Sequence, residues 1–155
     1  LRDHGGVPTL FHGGKPDPAL FYATALIADG DDRFRGILRR AIEGLVRIVG
    51  EADSADALIS LARQLEPDVI LVDLDLPADG GIPTARRIKG EQPEIRVILM
   101  TGHGEEAYLE ATGKAGADAF LPKSHVKRDA PSVLRRVAGG VLRPWERFRR
   151  SNHRA

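Results

Sequence analysis

Cysteine is absent from the 155 residues, which excludes disulfides and thiolate metal sites. The histidines, at positions 4, 12, 103, 125 and 153, never fall at the HxxxH spacing of a zinc-binding helix, so a metal here would be held by oxygen. No apolar run approaches the roughly 20 residues that span a bilayer. The start of the chain also lacks a basic segment leading into an apolar h-region. No membrane association and a cytoplasmic location are therefore expected. Neither sign of charge dominates, the net charge being +1. That balance hides an asymmetry: residues 141–155 carry five arginines against Glu146, which leaves the first 140 residues with 18 basic and 21 acidic groups. What is present, 42% apolar and 29% charged residues, is the composition of one ordinary globular domain.

Residues 1–22 are rich in glycine and proline and read as a flexible leader. The apolar run 20–28 ends at Asp29 and reads as a first strand. From Phe34 the apolar positions 34, 37, 38, 41 and 42 make a 3.6-period stripe, with Arg35, Arg39 and Arg40 on the other face. A second strand is expected over 45–49. A helix follows, capped by Asp53 or Ser54, with Leu58, Leu61, Ala62 and Leu65 facing inward and Pro67 after its end. The run Val69–Val72 is continuous and apolar, the mark of a strand buried on both faces, and it delivers Asp73 to a loop containing Asp75, Pro77, Asp79, Gly80 and Gly81. Then come a helix over 82–89, a strand over 95–100 ending in Thr101, a helix over 105–114, a short strand over 117–121 ending before Pro122 and Lys123, and a last helix over 129–137. This alternation predicts βαβ units: an α/β fold with a doubly wound, five-stranded parallel sheet and helices on both faces.

Four of the five strands finish in a polar residue, Asp29, Asp73, Thr101 and Lys123. With strand order 2-1-3-4-5, strands one and three flank the switch point, where open parallel sheets hold their ligands. Asp29 is then beside Asp73, with Thr101 and Lys123 on the far side. Two carboxylates, a hydroxyl and an ammonium suit phosphoryl transfer. The carboxylates hold Mg²⁺, one of them attacks phosphorus, and the lysine and threonine receive the new phosphoryl oxygens. Each residue alone would be an ordinary capping or surface group; the set in this order is the signal.

The ordered pieces LIAD, PDVILVDLDLP, VILMTG and AGADAFLPKS are specific in combination. By them the stretch from about Ala23 to Gly140 resembles the receiver domain of two-component response regulators, a flavodoxin-like fold. LPKS and the later LRRVAGG are similar to its NarL/LuxR-type subgroup. The resemblance implies that Asp73 accepts phosphate from a histidine kinase. It implies Mg²⁺ on Asp29, Asp73 and the backbone carbonyl of Asp75. Thr101 and Phe120 match the family's switch pair and Lys123 its phosphate-pairing lysine. The face built from helix 105–114, the fifth strand and the last helix, with Lys114, Ala117 and Val133 near it, is implied as the surface for a homodimer or an output protein.

One position departs from the pattern. The family's second acid after the first strand is here Gly30, and Asp31 is the nearest residue that could substitute as a metal ligand. The departure motivates a competing reading, a receiver-like interaction module in which Asp73 is not modified. A third reading, a phosphohydrolase of the haloacid-dehalogenase type, rests on the Asp73-Leu74-Asp75 spacing. Pro77 and the position of the motif beyond the first strand count against it. The tail 141–155 reads as a basic linker without the folded scaffold that sequence-specific DNA binding needs, and a helix-turn-helix domain does not follow it in this chain. The expectation is a stand-alone receiver or a regulator cut short.

Overall fold

The computed structural model describes residues 23–102 and 116–139. The leader, His103, the helix expected over 105–114 with Lys114, and the tail 141–155 lie outside the described residues.

The strands are β1 (Thr24–Ala28), β2 (Arg47–Ala52), β3 (Val69–Asp73), β4 (Arg96–Thr101) and β5 (Ala119–Pro122). They form one parallel sheet in the order β2-β1-β3-β4-β5, as expected. The described helices are α1 (Asp32–Ile42), α2 (Ala55–Leu65), α3 (Gly81–Glu91) and α4 (Val126–Ala138), the last preceded by a 3₁₀ turn at Lys123–His125. α4 starts three residues earlier than the apolar spacing suggested, because Val126 is buried in its first turn.

Strand alternation sorts the core into two layers. Val69 and Leu71 of β3 join Ala25, Ile27, Ile98, Met100, Ala119 and Leu121 under α1 and α4. Ile70 and Val72 join Leu26, Ala28, Val97 and Leu99 under α2 and α3. Both faces being covered is why β3 has no polar position before Asp73. The four apolar residues of β3 contribute on the order of 6–12 kcal/mol of gross burial energy. That exceeds the several kcal/mol that keeping one charged group out of water effectively costs. The strand can therefore hold a carboxylate at its end.

Three local expectations are corrected. β2 runs from Arg47 to Ala52 rather than over 45–49. Leu45 and Val46 are buried ahead of the strand, and the strand continues through Gly50 and Glu51, which do not look apolar. Ala25 pairs with Ile48 but Leu26 with Gly50, so Val49 is the extra residue of a bulge. Arg35 and Arg39 are not simply a solvated face: both reach Glu51 on β2, at 3.2 and 2.6 Å, and hold its carboxyl below the usual range. In α2 Leu65 is exposed, and Ile59 is buried instead. Ser54 is the cap, accepting from the Ala57 N–H, and Glu66 ends the helix in the left-handed region before Pro67.

The loop after β3 folds tightly on the strand end. The Leu76 N–H donates to the Asp73 carbonyl (3.1 Å) and the Gly81 N–H to the Leu74 carbonyl (2.7 Å). Ala78 has φ 80°, a conformation that costs a residue with a Cβ. The Pro77 carbonyl accepts from the Ala55 N–H (3.1 Å), joining this loop to the start of α2. At Gly81 a Cβ would lie against the Asp73 carbonyl oxygen and 2.8 Å from Leu74 Cα. Gly81→Ala should cost roughly 3 kcal/mol, the upper part of the overpacking range. Urea unfolding checks this; a loss below about 0.5 kcal/mol would mean that the loop does not depend on this close approach.

Candidate functional site

The alternation that builds the core also aims the site. Ala25 and Ile27 face the α1/α4 layer, and Asp29, one step past β1, keeps that parity. Val69 and Leu71 do the same for Asp73. Because β1 and β3 are neighbours in register, Ala28 opposite Val72, the two carboxylates arrive together at the switch point. Both are buried. Lys123 follows β5, where Ala119 and Leu121 face the same layer, and its ammonium lies 2.5 Å from Asp29 Oδ2 and 3.2 Å from Asp73 Oδ1. The lysine thus bridges the acid pair. Thr101 and Phe120 have the opposite parity on β4 and β5. Thr101 is buried opposite Pro122, and Phe120 is partly exposed opposite Leu99.

Backbone donors complete the site. Asp73 Oδ1 accepts from the Asp75 N–H (3.1 Å), and Asp29 Oδ1 from the Asp31 N–H (2.8 Å). Burial pushes the Asp73 carboxyl up, with the neighbouring Asp29 charge adding to the shift; the Asp75 N–H and Lys123 oppose it without cancelling it. For Lys123 burial disfavours the charge, yet the two carboxylates outweigh it and its pKa is raised.

Asp29 Oδ2 is buried without an aligned hydrogen bond, its neighbour being the lysine charge. A buried carboxylate oxygen of that kind, facing a second carboxylate, suits a hard cation. The set is small, however. Among the described residues no three acidic or histidine side chains gather to hold a metal ion. Gly30 contributes no oxygen from a side chain, and a Cβ there would meet the Pro77 ring at 2.7 Å. Asp31 is exposed and is the cap of α1, its carboxylate accepting from the Arg33 N–H at 2.9 Å. Asp32 stands in the first turn of α1, as expected of an acid there. Asp75 is exposed in the loop.

Two participants were not picked out from sequence. Phe34 lies under the lysine, whose Nζ is 4.6 Å from the ring centroid. Arg35 donates through Nη1 to the Asp29 carbonyl (2.5 Å) while also binding Glu51 and Asp32. The signal for Phe34 was its place in the first turn of the helix leaving the acidic loop; for Arg35 it was a basic residue within one turn of the same loop. Of the residues named near the expected partner face, Val133 is buried in the α1/α4 layer and Ala117 is partly buried in the other layer.

A five-stranded 2-1-3-4-5 sheet with an acid pair at its switch point and a lysine after its fifth strand defines a receiver fold. The family model for the response regulator receiver domain matches residues 25–135, and the chain belongs to that family. It is 35% identical over 118 residues to the response regulator GacA of Pseudomonas aeruginosa, covering 74% of this chain and 55% of that protein. It is 28% identical over 117 residues to the response regulator UvrY of Escherichia coli, covering 74% and 54%. The chain thus spans about half the length of these relatives. Among solved structures, the response regulator RcsB of Salmonella typhimurium superposes with a TM-score of 0.69 at 27% identity, over 74% of this chain and 58% of that one. The receiver domain of NarL from Mycobacterium tuberculosis gives 0.66 at 28%, over 74% and 97%. The family match decides against the phosphohydrolase reading. None of the described helices is long and apolar enough to cross a membrane.

The raised Asp73 carboxyl makes a stability prediction. A carboxylate whose folded pKa is raised costs the fold nothing below its ordinary pKa. The cost grows as pH rises through the window up to the shifted value and is fully present above it. Asp73→Asn removes the ionisation, so the variant should be more stable than wild type at pH 7, on the order of 1 kcal/mol, the usual size of a single-residue effect. The difference should shrink as pH falls through the window. Chemical unfolding at several pH values checks this; a variant less stable at pH 7 would show that Asp73 is not the strained partner.

Proposed function

We propose that the chain is the phosphoacceptor receiver of a two-component pathway, taking one phosphoryl group from a histidine kinase onto Asp73. The observation that carries this reading is the convergence of Asp29, Asp73 and Lys123 at the switch point. A carboxylate oxygen of Asp73 attacks phosphorus, the P–N bond of the phosphohistidine breaks, and the imidazole leaves with the bonding pair. Asp29, Asp73 and the Asp75 carbonyl would hold Mg²⁺, with Asp31, one of whose carboxylate oxygens caps α1, as the substitute ligand directly or through a water. When bound, that ion supplies positive charge for the phosphoryl oxygens. Lys123 pairs with one of those oxygens once it lets go of the acids, and the Thr101 hydroxyl takes another. Phe120 follows Thr101 inward and carries the change to the surface of β5 and α4, where a second copy or an output protein docks. The chain is modified stoichiometrically and does not turn over a substrate.

The interaction module stands as a second reading because Gly30 removes a potential ligand and Lys123 already offsets part of the acid pair's charge. Incubation with acetyl phosphate and Mg²⁺, followed by intact-mass measurement, separates the two. The phosphoacceptor reading expects one added phosphoryl group per chain, absent in Asp73→Asn and at least tenfold slower to form in Lys123→Met. No labelling of wild type, or labelling that survives Asp73→Asn, would sink it, and the first result would favour the module.

A further inference from the structure

We infer that Phe34 is a positioning residue for Lys123: its ring seats the ammonium over Asp29 and Asp73, so the chain supplies its own counter-cation and a divalent ion must compete with it. The inference rests on the proposed reading of the acid pair as a cation site. Among the described residues Lys123 Nζ has three neighbours that favour its charge, Asp29 Oδ2 at 2.5 Å, Asp73 Oδ1 at 3.2 Å and the Phe34 ring at 4.6 Å. The first two are the oxygens that a metal would need. The third belongs to neither the metal nor the phosphoryl group. An aromatic face attracts a cation at this distance through its quadrupole, more strongly where water is partly excluded.

The ring is held in place by the fold. Phe34 is in the first turn of α1, partly buried against the α1/α4 layer. Arg35, the next residue, is tied to the Asp29 carbonyl and to Glu51 of β2, so this turn of α1 is fastened to the end of β1. Lys123 comes from the far end of the sheet, after β5, and among the described residues its ammonium is met by these three groups. Phe34 therefore biases the lysine toward the acids. Before Asp29 and Asp73 can turn their oxygens to a divalent ion, Lys123 has to withdraw from Asp29, and the aromatic contact opposes that withdrawal.

The test is a double-mutant cycle on Mg²⁺ binding, measured by calorimetry on the unphosphorylated chain with wild type, Phe34→Leu, Lys123→Met and the double variant. Phe34→Leu keeps apolar bulk and removes the ring face. It should tighten Mg²⁺ binding about two- to fivefold, the factor expected of a cation–π contact at a partly exposed site. In the Lys123→Met background the same change should have no effect, and Phe34→Tyr should behave as wild type. An equal effect of Phe34→Leu with and without Lys123, or weaker binding in Phe34→Leu, would overturn the inference. A second readout needs no metal: the ε-methylene protons of Lys123 should be shifted upfield by the ring in wild type and Phe34→Tyr and not in Phe34→Leu. Absence of that shift in wild type overturns the seating of the lysine. If no variant binds Mg²⁺, the cation-site reading fails, while the ring-current result still decides whether Phe34 seats Lys123.

Discussion

One ammonium between two buried carboxylates is the constraint on which the rest of this structure depends. Asp29 and Asp73 are brought together by the register of β1 and β3, and neither has water enough around it to carry its charge cheaply. Lys123 answers both charges from the other end of the sheet. The pair is therefore balanced only when β1, β3 and β5 are all in place. This ties the chemistry of the site to the integrity of the whole sheet. The raised carboxyl of Asp73 shows that the balance is incomplete: burial and the second acid prevail over the lysine. An acid held in that way is ready for any partner that brings more positive charge than one ammonium.

The surrounding elements act on this balance through the backbone. Arg35 and Arg39 converge on Glu51 and lock α1 to β2 across β1, and Arg35 also holds the Asp29 carbonyl. On the other side of the switch point the loop after β3 returns to its own strand through Leu76 and Gly81, and through Pro77 to α2. The carboxylates thus sit between two fastened loops, while the lysine that answers them is on a flexible stem. Exchange of cations at the site falls to the lysine and not to the acids. Gly30 fits this picture: it leaves the loop after β1 without a side chain, and the Pro77 ring lies where a Cβ would be.

Much of this could be read from the residues alone, for physical reasons. β3 was legible because a strand covered on both faces has no polar position to blur it, and Asp73 ended it abruptly. The parallel, doubly wound sheet followed from the alternation with helices and from handedness, while the order 2-1-3-4-5 was one common arrangement of such a sheet and not a consequence of the spacing. β2 was misplaced because half of it, Gly50 and Glu51, is polar for a reason outside the strand: Glu51 has Arg35 and Arg39 as partners. Leu65 carried the helical period of α2 one turn past the core. The acid pair and Lys123 were visible as strand ends, but the bridging of both acids by the lysine was not, since side-chain reach is not a property of spacing. Phe34 was hidden within an apolar stripe in which Leu38 and Ile42 are core residues and Ile37 and Ala41 pack partly buried against them.

The central claim is that Lys123 partly offsets the cost of placing Asp73 next to Asp29 in a buried site. An NMR titration of the Asp73 side-chain carboxyl carbon, in wild type and Lys123→Met, tests it most directly. The account predicts that Asp73 titrates above the ordinary carboxylate range in wild type and higher still once the ammonium is gone. A midpoint in the ordinary range, or one that does not move in Lys123→Met, would contradict it.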